Sequence, residues 1–244
     1  MTSWESKISN LKKMKDKPIN EKLSYVFTYF KLPIVITLVA LVFVSSMIYN
    51  SATKKDMALS LCCVNSYAVP GAVQEYLENF AKEIGIDLKK YEVFALEGIY
   101  ISETDTVTSY QSEQILMVQI ASELLDLMVA DQNIITGYAY QETFLDLSQV
   151  LTTEQLQKYG ADLLYMDLAW VEIISNLSFG EALPNLPNPT KPEEMEKPVP
   201  IALRIPENSA LSQLCYPYGD GVIAVAANTN NTENAVAFLA NILE

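Results

Sequence analysis

Three hydrophobic regimes follow one another along this chain of 244 residues. Residues 32–49, LPIVITLVALVFVSSMIY, hold no charge and present no polar face. From residue 56 onward, short apolar runs alternate with segments whose apolar residues recur every three or four positions. Between 184 and 200, PNLPNPTKPEEMEKPVP, prolines interrupt both patterns.

The uncharged run predicts a membrane-spanning helix. At about 1.5 Å rise per residue it nearly crosses a hydrocarbon core about 30 Å thick. Tyr25, Phe27, Tyr29 and Phe30 precede it and Tyr49 ends it, as an aromatic belt does. A helix at the surface of a globular domain carries a polar stripe, which this run lacks.

The later pattern reads as alternating strands and helices. Residues 58–64 (ALSLCCV) predict a buried strand, and Pro70 opens a helix with Val73, Leu77, Phe80, Ala81 and Ile84 on one side and Gly85 as its C-cap. Residues 91–96 predict a second strand, 109–123 a helix with Ile115, Leu116 and Ile120 inward, and 125–130 a third strand. This β-α-β-α-β order predicts parallel strands covered by helices. A short helix near 133–140 and a turn at 145–148 follow, then a helix from Thr152, with Gln155 at capping-box spacing, stopping near Gly160. Residues 161–179 are apolar without a clear period, so strand and helix both remain open there. Six of the eleven prolines fall in 184–200, which predicts an extended loop. Ile201, Leu203 and Ile205 alternate as a strand, 222–227 forms another, and a helix capped near Asn230, with Glu233 at the reciprocal position, buries Ala235, Phe238, Leu239 and Ile242. The expected fold is α/β, a parallel-rich sheet flanked by helices and preceded by a single transmembrane helix.

Charge orients this plan. The net charge is −14, yet residues 1–31 carry seven lysines against Glu5, Asp16 and Glu21, which makes them +4 and leaves −18 on the rest. Lysines before the span, with only Lys54 and Lys55 close after it, favour an N-terminus inside and an exported acidic domain. The domain plan is a cytoplasmic tail (1–31), a transmembrane helix (32–49), a short linker (50–55) and an exported domain (56–244). A 31-residue leader is long for a secretory signal, which favours an uncleaved anchor over cleavage near Asn50-Ser51-Ala52. Leu59-Ser60-Leu61-Cys62 is not a lipidation site, because Leu61 is too large for the position before the cysteine. Within a strand Cys62 and Cys63 point to opposite faces, so either is a potential partner for Cys215, while buried free thiols are the simpler reading.

Composition removes whole classes of chemistry. With no histidine, Ser-His-Asp and Cys-His catalysis and histidine metal motifs are excluded. The acidic balance speaks against nucleic acid as a partner. Gly219-Asp220-Gly221 opens a G-x-G-x-x-A pattern that is followed by a strand rather than a helix, so it is no dinucleotide loop. Ser51-x-x-Lys54 lacks the setting of an acylating serine, and Glu103 and Asp105 lack the spacing of a calcium loop. Nothing here calls for a cofactor or metal, and no enzyme is expected.

Three stretches resemble one family. ASELLDLMVAD at 121–131, FLDLSQVL at 144–151 and GVIAVAANTNNTENAVAFLANIL at 221–243 are similar to segments of the extracellular solute-binding proteins of bacterial ATP-binding-cassette importers. The resemblance implies an α/β lobe and, in two-lobed members, a ligand held between lobes. Here only residues 151–200 lie between the turn and the returning strand, which implies a single lobe with a much reduced second one.

The candidate ligand residues are Asp131, at the end of the third strand, with Tyr138 and Tyr140 after it, and Arg204, the only arginine, with Tyr216 and Tyr218 in the next turn. Two functions are expected. One is a tethered solute-binding-like domain taking a neutral or cationic small molecule such as a sugar or peptide, with a membrane permease as partner. The other is an exported protein-interaction or scaffold module that has lost the cleft.

Overall fold

The computed structural model describes residues 3–13, 15, 17–102, 106–176, 185–219 and 221–243. Two compact units divide at Lys54 and Lys55. The first contains three helices, α1 (Ser3–Lys13), α2 (Ile19–Tyr29) and α3 (Lys31–Thr53). The lysine-rich tail is thus largely helical, with Lys17 pairing with Glu21 one turn on at 2.9 Å. From Lys31 to Tyr49, α3 is long and apolar enough to cross a membrane, and none of that stretch is buried. The expected linker at 50–55 is mostly helix. No proline or glycine stops α3 before Thr53, whose hydroxyl donates to the Tyr49 carbonyl at 2.7 Å, so only Lys54 and Lys55 precede the first strand.

The second unit is an α/β fold built on one mixed sheet of six strands, in the order β2-β1-β3-β6-β5-β4. They are β1 (Asp56–Val64), β2 (Tyr91–Ile99), β3 (Leu127–Ala130), β4 (Leu163–Asp167), β5 (Pro198–Arg204) and β6 (Val222–Val225). As the alternating pattern predicts, β1 runs parallel to β2 and β3. The other three pairings, β3–β6, β6–β5 and β5–β4, are antiparallel, so the sheet is parallel in one half only.

Alternation along the strands sorts two cores. Leu59, Leu61 and Cys63 of β1, Leu127 and Val129 of β3 and Ile223 and Val225 of β6 face one layer. It is closed by α4 (Ala72–Glu83), α9 (Ala210–Cys215) and α10 (Thr232–Leu243), with Val73, Leu77, Leu211 and Phe238 buried against the sheet. Cys62, Val64, Met128, Ala130 and Ala224 face the other layer, together with α5 (Thr106–Ala121), α6 (Gln132–Ala139) and α8 (Leu168–Ser175). On α5 Leu116 is buried and Ile120 half-buried, whereas Ile115, expected inward, is exposed. Adjacent helix residues point about 100° apart, so Ile115 and Leu116 do not both face the sheet.

Residues 163–175, open between strand and helix, form both. Asp167 ends β4 and caps α8 by accepting from the Ala169 N–H at 3.0 Å. The proline-rich stretch also departs from expectation, because β5 begins inside it at Pro198. Two prolines fit a strand here because β6 reaches β5 only from Ala202 to Arg204, leaving Pro198 and Pro200 with a neighbour on one side. Ile201 has no partner on β4, and this bulge turns Ile201 and Ala202 into the same layer, while Leu203 and Ile205 face the other. Simple alternation of Ile201, Leu203 and Ile205 therefore fails at its first member. Among the described residues 151–200 adds strands to the same sheet and builds no second one.

Candidate functional site

Strand directions define one edge where loops collect. β1, β2 and β3 end there, β5 ends there as well, and β6 starts there. Ligands of open α/β sheets bind beyond such carboxyl ends, so each group at this edge is informative.

The nearest helix terminus is already occupied. Glu97 and Gly98 of β2 together face Cys63 of β1, a bulge that Gly98 permits with φ 75°. It turns the Glu97 carboxylate toward the start of α4, where it accepts from the N–H groups of Gly71 at 2.6 Å and Val73 at 2.9 Å. An internal anion thereby satisfies the helix N-terminus. Asp131 does the same for α6, accepting from Asn133 at 2.9 Å and Ile134 at 3.0 Å. Beside it, Arg204 donates to the side-chain oxygen of Gln132 at 3.4 Å.

Tyr216 seals the middle of the edge. Its ring packs over Gly221, where an added Cβ would lie 3.0 Å away, and its hydroxyl donates to the carbonyls of Val64 and Val129, the latter at 3.1 Å. Burial, with the neighbouring Cys63, Cys215 and Cys62 thiols and Asp131, holds its phenol well above the ordinary value. Tyr218, two residues later, is 88% exposed and meets the exposed ring of Tyr67 edge-on at 6.0 Å. Val69 and Tyr100 also project from the loops after β1 and β2.

The remaining candidates lie elsewhere. Tyr138 borders a pocket of about 240 Å³ between α5 and α6 with Glu113, Met117 and Gln141, and burial, with Glu113 and Cys62, raises its phenol to about 12. Tyr140 is buried, and its hydroxyl accepts from the Asp167 N–H at 3.2 Å. The structure thus joins Asp131, Arg204 and Tyr216 at one edge with Tyr218 beside them, and separates Tyr138 and Tyr140 into the helical layer beneath.

Beneath Tyr218 lies an open pocket of about 440 Å³ lined by Glu207, Ser212, Gln213, Tyr216, Pro217 and Gly219. Among the described residues no group of acids and cysteines is placed to hold a metal ion. Glu103, Asp105 and Asp220 lie outside the described residues, as do 177–179 of the apolar stretch and 184 of the proline-rich one. Sequence reasoning missed Glu97, Tyr67 and Glu207; an acid followed by glycine inside a strand pattern, Glu97-Gly98, was the available bulge signal. Comparison with protein-family models, with curated proteins and with solved structures finds no match to this chain.

Proposed function

We propose that this chain is a membrane-tethered, non-catalytic docking module whose acidic domain lies outside the membrane. It engages another exported protein through the loops at the carboxyl ends of its parallel strands. The carrying observation is that Glu97, Asp131 and Tyr216 fill those strand ends from within, while Tyr67 and Tyr218 stand exposed above them. Exposed tyrosines on loops suit a protein surface, since they offer contact area at low entropic cost. The lysine-rich tail before α3 and the −18 of the remainder support an N-terminus inside. The resemblance of 121–131, 144–151 and 221–243 to segments of a solute-binding lobe, with a single sheet among the described residues, supports a binder that lacks an enclosing cleft.

A photocrosslinking residue in place of Tyr218 in cells is expected to give a discrete adduct that the same residue at Lys89, exposed in the turn that enters β2 at the opposite edge of the sheet, does not. Equal labelling at both positions would remove the docking reading. A second reading, capture of a neutral or cationic small molecule, is favoured by one feature, the Glu207 carboxylate beside Tyr218 in the open pocket. Thermal stabilisation of the full chain by a sugar, amine or peptide, lost in Glu207→Gln, would select it.

A further inference from the structure

The three cysteines are not equivalent. Cys63 and Cys215, 152 residues apart, bring their sulfurs to 3.8 Å inside the layer shared by β1 and α9. Cys62, next in sequence, faces the opposite layer beside Met128 and Ala130. The backbones are tied at the same place, because the Tyr67 N–H donates to the Cys215 carbonyl at 2.9 Å. We infer that Cys63 and Cys215 are a dithiol pair that closes into an intrachain disulfide, with Cys62 left as a thiol.

The surroundings favour one order of events. The contact with Cys63 and a hydrogen bond with Ser66 hold the Cys215 thiol below its ordinary value despite burial. Cys63 is raised by the same contact and by burial, and burial alone takes Cys62 to about 12. Cys215 is carried on α9, a helix of six residues that opens more readily than β1, which holds Cys63, so Cys215 is the thiolate that attacks first. The oxidant is an external low-molecular-weight disulfide. The Cys215 thiolate attacks one of its sulfurs, releasing one thiol and leaving a mixed disulfide. Cys63, losing its proton, then attacks the Cys215 sulfur and releases the second thiol. Two thiols are oxidised, one disulfide is reduced to two thiols, and the protein's two protons pass to the released thiolates. Both sulfurs are buried, so exchange occurs while α9, a helix of six residues, is undocked. The bond rivets α9 and the Tyr216–Tyr218 turn to the end of β1, the edge assigned above to docking.

The inference rests on side-chain geometry, whereas its state in cells rests on the extracytoplasmic placement proposed above. The purified full chain in detergent is equilibrated with oxidised glutathione, quenched in acid, denatured and alkylated with a maleimide. Mass spectrometry is expected to find one maleimide without reductant and three after reduction, with Cys62 carrying the single label. Cys62→Ala should still close and carry none, and Cys215→Ala should leave both remaining thiols alkylated. The oxidised form should melt roughly 5–10 °C higher than the reduced one. Three maleimides after oxidation, stable glutathione adducts in place of closure, or closure that survives in Cys63→Ala would each overturn the pair. Counting thiols on protein trapped directly from cells then tests placement alone: closure in vitro with three thiols in cells rejects the exported domain and leaves the pair standing.

Discussion

Strands β1 to β3 and strands β4 to β6 share one sheet but are held together in different ways. In the parallel half β1 and β3 are buried on both faces, α4 and α5 make the crossovers, and side chains are packed between helix and sheet. The antiparallel half admits two prolines in β5, and a single carboxylate, Asp167, ties the proline-rich stretch to the end of β4. Both halves bury apolar strands, so the contrast lies in what closes them: crossover helices packed on the sheet in one, a proline-rich stretch held by a carboxylate in the other. The contrast predicts which substitutions cost most, and in what currency the damage is read.

The largest effect is expected from Phe238→Ala. Phe238 is fully buried on α10 and meets Phe80 of α4 edge-on at 4.8 Å. Its removal opens a cavity beneath the parallel strands and is expected to cost about 3–5 kcal/mol in urea unfolding of the full chain. A loss below about 1 kcal/mol would mean that this layer collapses freely and that packing does not distinguish the halves.

Asp126→Ala comes next. This buried carboxylate accepts from the Ser60 N–H at 2.7 Å, from the Thr229 hydroxyl and from the Asn231 amide at 3.2 Å, joining β1, β3 and the entry to α10. Leaving the Ser60 N–H and the Thr229 hydroxyl without their acceptor is expected to cost about 3 kcal/mol. Asp126→Asn should recover part of that loss, because its amide oxygen still accepts.

Asp167 is the counterpart in the antiparallel half. It accepts from the N–H groups of Ala169, Glu196 and Lys197 at 2.8–3.0 Å, pinning the proline-rich stretch to the end of β4. Burial pushes its carboxyl up, but those three donors and the Lys197 charge outweigh it, so the group titrates below the ordinary value. A folded pKa below the unfolded one gives stabilisation that is complete above the unfolded value, about 3.9, and fades as pH falls through the folded value. Asp167→Asn should therefore cost about 1–2 kcal/mol near neutrality and flatten the loss of stability below about pH 4. Protease cleavage within 185–197 should rise in the same variant. An unchanged acid limb would show that the carboxylate does not anchor the loop.

What could be read from the chain follows the same division. The parallel half was legible because Val73, Leu77, Phe80 and Ala81 recur at helical spacing and the runs at 58–64 and 127–130 are mostly apolar. The capping box of Thr152 and Gln155 was legible for the same reason, since every partner lies within three residues. The antiparallel half was not. Its order depends on pairings remote in sequence, Pro198 with Asp167 and Val222 with Ala130, and a one-residue bulge at Ile201 reverses the expected face. At the candidate site, Asp131 and Tyr216 were visible as residue types. That their oxygens are engaged, one by N–H groups and one by strand carbonyls, required three dimensions.

The smallest effects sharpen the comparison most, because they test whether the halves differ locally as well. Gly85 ends α4 with φ 84°, and the N–H groups of Gly85 and Ile86 donate to the carbonyls of Lys82 at 3.2 Å and Ala81 at 2.8 Å. Thr152 starts α7 (Thr153–Lys158), the helix that leads into β4, by accepting from the Gln155 N–H at 3.2 Å. Gly85→Ala forces a side chain into the left-handed region, and Thr152→Ala leaves one helix N–H without its acceptor. Each is expected to lower stability by about 1 kcal/mol. Equal costs, measured in the same urea titration, would place the difference between the halves in their long-range contacts. A Gly85→Ala loss several times that of Thr152→Ala would mean instead that the parallel half also depends more heavily on its local turns, and that packing alone does not set it apart.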